Sequence, residues 1–314
     1  MRVVLIIFLV GLLIPTLWLY IRSLLNTAVY TKKELKEALT VPFLGEIPLI
    51  KTKSKELIVV KENSTEPICE AFKIVQTNLD FMDIEHKGGG KVILVTSINQ
   101  DAGKTFVSAN LGMSIATLNE KVVVVDLDLR KGTLTRRLGM GTKLAGVSNY
   151  LAGMGNNVFD SIYPFNDDGS LYILPCGTIP PNPADLLKSS RFDKMIAELK
   201  TKYDYVLLDT PPFGVVVDTQ LCARMSDQAV YVVRSGFLDK RSLPDIQELY
   251  DSGKMKNMSI LLNGIDINKI SSYGSYGYGY GYGRKYGYGY GYAGYGYSYT
   301  QEKKKSWFRR IIGI

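Results

Sequence analysis

An apolar run at residues 92–95 leads directly into Ser97-Ile98-Asn99-Gln100-Asp101-Ala102-Gly103-Lys104-Thr105. A strand that enters a loop ending Gly-Lys-Thr and then opens a helix is built to hold phosphate. Successive backbone N–H groups and the helix N-terminus cradle the phosphates, the lysine bridges β and γ, and the threonine hydroxyl binds Mg²⁺. Asn99, Gln100, Asp101, Ala102, Gly103, Lys104, Thr105 and Phe106 are therefore the candidate nucleotide-binding stretch. The fit is incomplete. Ile98 stands where the first glycine is usual, the loop has one glycine, and Asp101 puts negative charge near the phosphates.

Two further apolar runs end in acids. Val122-Val123-Val124-Val125-Asp126-Leu127-Asp128-Leu129-Arg130 places two carboxylates on one side of a strand, at the C-terminal end where open α/β sheets bind ligands. They could hold Mg²⁺, directly or through water, and one could accept a hydroxyl proton. Helix capping or loop solvation is the bland alternative. Tyr205-Val206-Leu207-Leu208-Asp209 follows the Walker B pattern, an acid ending an apolar strand beside the metal's outer shell.

These groups need a scaffold, and the chain supplies a regular one. Residues 92–95, 122–125, 171–174, 206–208, 230–233 and 260–262 are continuous apolar runs, the pattern of parallel strands covered on both faces. Residues 105–118, 184–200, 217–225 and 244–251 read as the helices between them. The spacing predicts a doubly wound, mostly parallel α/β sheet of the P-loop NTPase type. Ahead of it, a helix is expected to start after Pro67 and run to about Met82, with a helical patch over 32–39. Residues 41–48 read as an extended segment clipped onto the domain.

Composition bounds the function. The 314 residues carry a net charge of +8, which points to an anionic membrane or nucleic acid as partner. A single histidine, His86, argues against a Ser-His-Asp triad or zinc chemistry, and Cys69, Cys176 and Cys222 lack metal-site spacing. Residues 3–21 are almost wholly apolar, long enough to span a bilayer, with Trp18 and Tyr20 as interface anchors. Arg22, Lys32, Lys33 and Lys36 follow, so the positive-inside bias places the rest in the cytoplasm. Residues 271–300 are almost entirely Tyr and Gly, a composition that cannot pack a core and reads as disordered. The expected division is a spanning helix 1–22, a juxtamembrane linker 23–60, a catalytic domain 61–270, a tyrosine cluster 271–300 and a basic, apolar tail 301–314.

The three acid and phosphate motifs together resemble those of the bacterial tyrosine kinases, the cytoplasmic parts of membrane proteins that control capsule and exopolysaccharide export. The resemblance runs from about residue 31 to the C-terminus. It takes in Pro42-Phe43-Leu44-Gly45-Glu46-Ile47-Pro48, Arg130-Lys131-Gly132-Thr133-Leu134, Gly146-Val147-Ser148-Asn149-Tyr150-Leu151 and Pro180-Pro181-Asn182-Pro183-Ala184-Asp185-Leu186-Leu187. It implies that ATP and Mg²⁺ are used. Lys104 and Thr105 would hold phosphate and metal, Asp126 would be the base for a tyrosine hydroxyl, and Asp128 and Asp209 would serve the metal. Arg130 would steady phosphate or the incoming tail, and Asn263 would contact adenine. The family's autophosphorylation region corresponds here to Tyr273, Tyr276, Tyr278, Tyr280, Tyr282, Tyr286, Tyr288, Tyr290, Tyr292, Tyr295, Tyr297 and Tyr299. The family's Glu-x-x-Arg-x-x-Arg assembly helix is replaced by Glu70, Lys73 and Gln76, which predicts weaker or differently built rings.

The partners implied are the chain's own tail in cis or in a neighbouring subunit, the polysaccharide export machinery, the bacterial inner membrane and a homo-oligomer. Nucleic acid ranks low, because the basic residues are scattered or flank membrane segments. Two rival functions share the sheet: a partitioning-type ATPase, and a non-catalytic nucleotide-sensing regulator of export. The first usually has a lysine early in the loop, where this chain has Asn99, and has no need of twelve tyrosines; the retained Lys104, Thr105, Asp126, Asp128 and Asp209 argue against the second.

Overall fold

The computed structural model describes residues 8, 11–18, 27–50, 56–82, 89–141, 144–214 and 217–266. Eight strands form one sheet: β1 (Phe43–Pro48), β2 (Lys91–Thr96), β3 (Val122–Asp126), β4 (Tyr163–Pro164), β5 (Leu171–Leu174), β6 (Tyr205–Asp209), β7 (Gln228–Arg234) and β8 (Met258–Ile265). Their order is β1-β8-β7-β2-β6-β3-β5-β4, and every pairing is parallel except that of β4 with β5. The helices are α1 (Lys32–Ala38), α2 (Pro67–Phe81), α3 (Lys104–Ala116), α4 (Thr133–Arg137), α5 (Val147–Leu151), α6 (Pro183–Lys188), α7 (Ser190–Lys202), α8 (Asp218–Ala223) and α9 (Leu243–Asp251).

Alternate residues of each strand serve opposite faces, so continuous apolar runs feed two cores. On one face, Phe72 and Val75 of α2 and Leu111 and Ile115 of α3 pack with Ile93, Val95, Val122 and Val124. On the other, Phe192, Ile196 and Leu199 of α7 pack with Val92, Leu94, Val123 and Val125. Cys69, Cys176 and Cys222 are free thiols buried among these layers. The expected helix over 184–200 is two helices, because Ser189 is extended (ψ 151°) and separates α6 from α7.

Residues 27–50, expected within a linker, belong to the sheet-bearing unit. β1 pairs in parallel with β8, and upstream Val29 exchanges backbone hydrogen bonds with Leu238 (2.8 Å) and Gly236 (2.7 Å). Thr31 and Glu34 close a reciprocal capping box that starts α1. Residues 8 and 11–18 are helical, the rest of the expected spanning segment lies outside the described residues, and among the described residues no helix is long and apolar enough to cross a membrane. The tyrosine cluster and residues 301–314 also lie outside them.

Candidate active site

The phosphate loop joins the end of β2 to α3. Ser97 Oγ donates to the Asn99 carbonyl (2.6 Å), and Lys104 Nζ donates to Ser97 Oγ (3.1 Å) and to the Asn99 carbonyl (3.4 Å). The ammonium is thus folded along its own loop and held by neutral acceptors. Burial pushes the Lys104 pKa down, while Asp209, Asp128 and Asp101 oppose that shift. Gly103 begins α3 at φ +93°, and a Cβ there would strike the Asn263 carboxamide. Two neighbouring strands grip the loop from outside. Asn263 Nδ2 donates to the Ala102 carbonyl (3.0 Å), and Arg234 Nη1 donates to the Asp101 carbonyl (2.8 Å), Asp101 itself standing at φ +58°.

Strand register sets Asp126 opposite Asp209 on adjacent parallel strands. Asp126 is fully buried. Its Oδ2 accepts from the Thr135 N–H (2.8 Å) and hydroxyl (2.7 Å), and its Oδ1 from the Asp128 N–H (3.3 Å). Burial raises its pKa to about 6 against those bonds. Asp209 is raised to about 7, first by burial and then by the charge of Asp126, with Thr105, Lys104 and Ser108 pulling the other way. Its Oδ1 accepts from Ser108 Oγ (3.1 Å), whereas its buried Oδ2 has no hydrogen-bond partner among the described residues. Asp128 is half-buried, accepting from the Lys131 N–H (3.2 Å) and the Thr133 hydroxyl (2.8 Å).

One cleft is lined by Gln100, Asp101, Gly103, Lys104, Thr105, Asp128, Arg130 and Asp209, all expected from the sequence, together with Lys131, Thr133, Arg136, Arg137 and Thr210-Pro211-Pro212. The other expected residues stand off it. Asn99 and Ala102 back a small cavity beside β7, and the Phe106 ring packs against Phe72 (6.0 Å) in the α2–α3 contact. Asn263, expected at adenine, commits its amide to the loop. Asp126, expected as the base, has both oxygens occupied and does not line the cleft. Arg130 lines it but makes a bidentate pair with Asp218 (2.8 and 3.1 Å), a carboxylate with 1% exposure.

The donor set suits a hard divalent cation. The Asp209 Oδ2 orphan is buried beside the Thr105 hydroxyl, and such a cation takes one or two carboxylates and fills its shell with phosphate oxygens and water.

The family described as "AAA domain" matches residues 90–249, just over half of the chain. The tyrosine-protein kinase CpsD of Streptococcus agalactiae is 29% identical over 225 residues, covering 71% of this chain and 94% of that protein. The tyrosine-protein kinase YwqD of Bacillus subtilis is 30% identical over 208 residues, 66% of this chain and 86% of that one. The kinase domain of the Escherichia coli tyrosine kinase ETK superposes with a TM-score of 0.68 at 26% identity, over 81% of this chain and all of that domain. With a phosphate loop, a paired-acid strand and a third acid set side by side, the chain belongs to the bacterial tyrosine-protein kinase family, the P-loop type of protein-tyrosine kinase.

Proposed function

We propose that the chain binds ATP with Mg²⁺ in this cleft and transfers the γ-phosphoryl group to tyrosines of its own cluster, in cis or on a neighbouring subunit. The observation that carries the reading is the meeting of Lys104, the orphan carboxylate oxygen of Asp209 and the half-buried Asp128 on one cleft. Lys104 would exchange its neutral acceptors for phosphate oxygens, and the amides at the start of α3 would cradle the same group. Thr105 and Asp209 would hold Mg²⁺, which would supply neutralisation of phosphate charge there. Of Asp126, which ends β3, and Asp128, two residues beyond it, Asp128 stands on the cleft, so it is the better placed acceptor for the tyrosyl proton, and Asp126 fixes the turn into α4.

The expected N-terminal spanning segment would tether this kinase to the inner membrane with its catalytic part in the cytoplasm, beside capsule or exopolysaccharide export machinery. Each phosphate adds about −1.5 to −2 charges, so a few would cancel the net +8. The test incubates the full chain with ATP and Mg²⁺ and blots for phosphotyrosine, alongside Lys104→Ala and a variant with the twelve tail tyrosines changed to Phe. Signal should vanish in both. Signal retained in Lys104→Ala sinks the phosphate-loop role, and signal retained in the tail variant moves the acceptor elsewhere.

A further inference from the structure

We propose that Lys131, Arg136 and Arg137 form an anion subsite on the rim of the catalytic cleft, which binds a phosphotyrosine already made on the tail while a neighbouring tyrosine reacts. This rests on the tail being a substrate of the kinase.

The three cations are exposed and line the same cleft as Lys104 and Asp128. They are joined to the reaction centre by the chain itself. The Lys131 N–H is bonded to Asp128 Oδ1, the Thr133 hydroxyl to Asp128 Oδ2, and Arg136 and Arg137 form the last turn of the helix that Thr133 opens. Their charge is unspent. Arg130, the fourth cation on this rim, is neutralised by Asp218, whereas among the described residues Lys131 Nζ meets the neutral Gln100 Oε1 (3.2 Å) and no carboxylate. Neither Arg136 nor Arg137 makes an ion pair among the described residues. The nucleotide contacts proposed above are Lys104 and the loop amides, which leaves these three cations outside them.

The unmodified tail cannot use that charge. Residues 271–300 contain no Asp or Glu and carry Arg284 and Lys285, so the naive segment is itself cationic. It becomes anionic only through phosphorylation, each event adding about −1.5 to −2 charges and three acceptor oxygens. Arginine forks suit such a group, because a guanidinium grips phosphate with two parallel hydrogen bonds. The tail also repeats at a short, regular step. Tyr276, Tyr278, Tyr280 and Tyr282 alternate with glycine, so an extended chain presents them on one face about 6.5–7 Å apart. A phosphate just made lies one such step from the tyrosine that follows it. The consequence is a reaction that accelerates on its own product: slow on a naive tail, faster on one already marked.

The test measures binding and turnover separately. The full chain with all twelve tail tyrosines changed to Phe is titrated with a labelled peptide of residues 276–282, unmodified or phosphorylated on Tyr278. Fluorescence anisotropy should show the phosphopeptide binding at least tenfold tighter, and Arg136→Ala/Arg137→Ala should reduce that preference to within about twofold. Equal affinities for the two peptides would overturn the proposal, and so would a preference that survives in a Lys131→Ala/Arg136→Ala/Arg137→Ala chain. A parallel loss of ATP affinity in the double variant would make the arginines nucleotide ligands and also overturn it. Displacement of the phosphopeptide by inorganic phosphate at equal concentration would do the same, by making the rim a free-phosphate site. Transfer from ATP to the unmodified peptide reports the kinase reading independently, so its failure is distinguishable from failure of the subsite.

Discussion

At the scale of residues, the site stores protons where it will need charge. Asp126 and Asp209 face each other across two strands with pKa values of about 6 and about 7, above the ordinary 3.8. The folded chain therefore retains protons that the unfolded chain releases from about pH 4 upward, and the nucleotide-free protein should lose stability as pH rises from about 4 to about 7. Asp209→Asn should flatten that slope in urea denaturation series. A metal needs the ionised carboxylate, so Mg²⁺-dependent ATP binding should tighten with rising pH over the same window, and lose that dependence in Asp209→Asn. Calorimetric titrations showing the reverse slope would refute the assignment. Arg130 and Asp218 pose a second residue-scale question. Removing one partner of a fully buried pair costs about 3–5 kcal/mol, but the Arg130 side chain is 44% exposed, so Arg130→Ala should cost about 1–3 kcal/mol. Arg130→Ala/Asp218→Asn should recover most of that, because the stranded carboxylate is gone.

At the scale of elements, the phosphate loop is held less by its own sequence than by the strands beside it. Its single glycine adopts φ +93° and lies under Asn263 of β8, and Arg234 of β7 holds the next carbonyl back. Gly103→Ala should destabilise the protein by about 1–3 kcal/mol from backbone strain alone and weaken ATP binding. Adding Asn263→Ala removes the collision but leaves φ unchanged, so it should restore part of the stability and none of the latch. The same contrast explains what could be read from the sequence. β2, β3, β5, β6, β7 and β8 were legible as unbroken apolar runs, and Lys104, Thr105, Asp128 and Asp209 as local motifs at their ends. The two-residue β4 was not legible, since a Tyr-Pro pair has no periodicity and is defined only by antiparallel pairing with β5. Asp218, Arg234 and Thr135 were missed for a related reason. Asp218 reaches Arg130 across 88 positions and Arg234 reaches Asp101 across 133, while Thr135, nine residues from Asp126, looks like any helix threonine until the turn brings it back.

At the scale of the whole molecule, the segment between the expected membrane helix and the catalytic sheet is part of the folded unit. Leu44 and Ile47 of β1 are fully buried, and β1 covers the outer edge of β8, the strand that carries Asn263. Upstream, Thr27 and Val29 are bonded to Lys240, Leu238 and Gly236, the loop that leaves β7 directly after Arg234. Both latches on the phosphate loop therefore stand on strands that residues 27–50 brace. A chain beginning at residue 56 would expose the edge of β8, an unpaired strand edge that invites association between copies. Compared with a chain beginning at residue 27, it should melt at a lower temperature, show concentration-dependent aggregation, and bind ATP more weakly even at temperatures where it remains folded. Calorimetry and light scattering on the two chains test the first two expectations, and ATP titration tests the third. If the shorter chain melted earlier but bound ATP equally well, the brace would serve the fold alone, and the grip of Asn263 and Arg234 on the loop would be independent of what lies outside it.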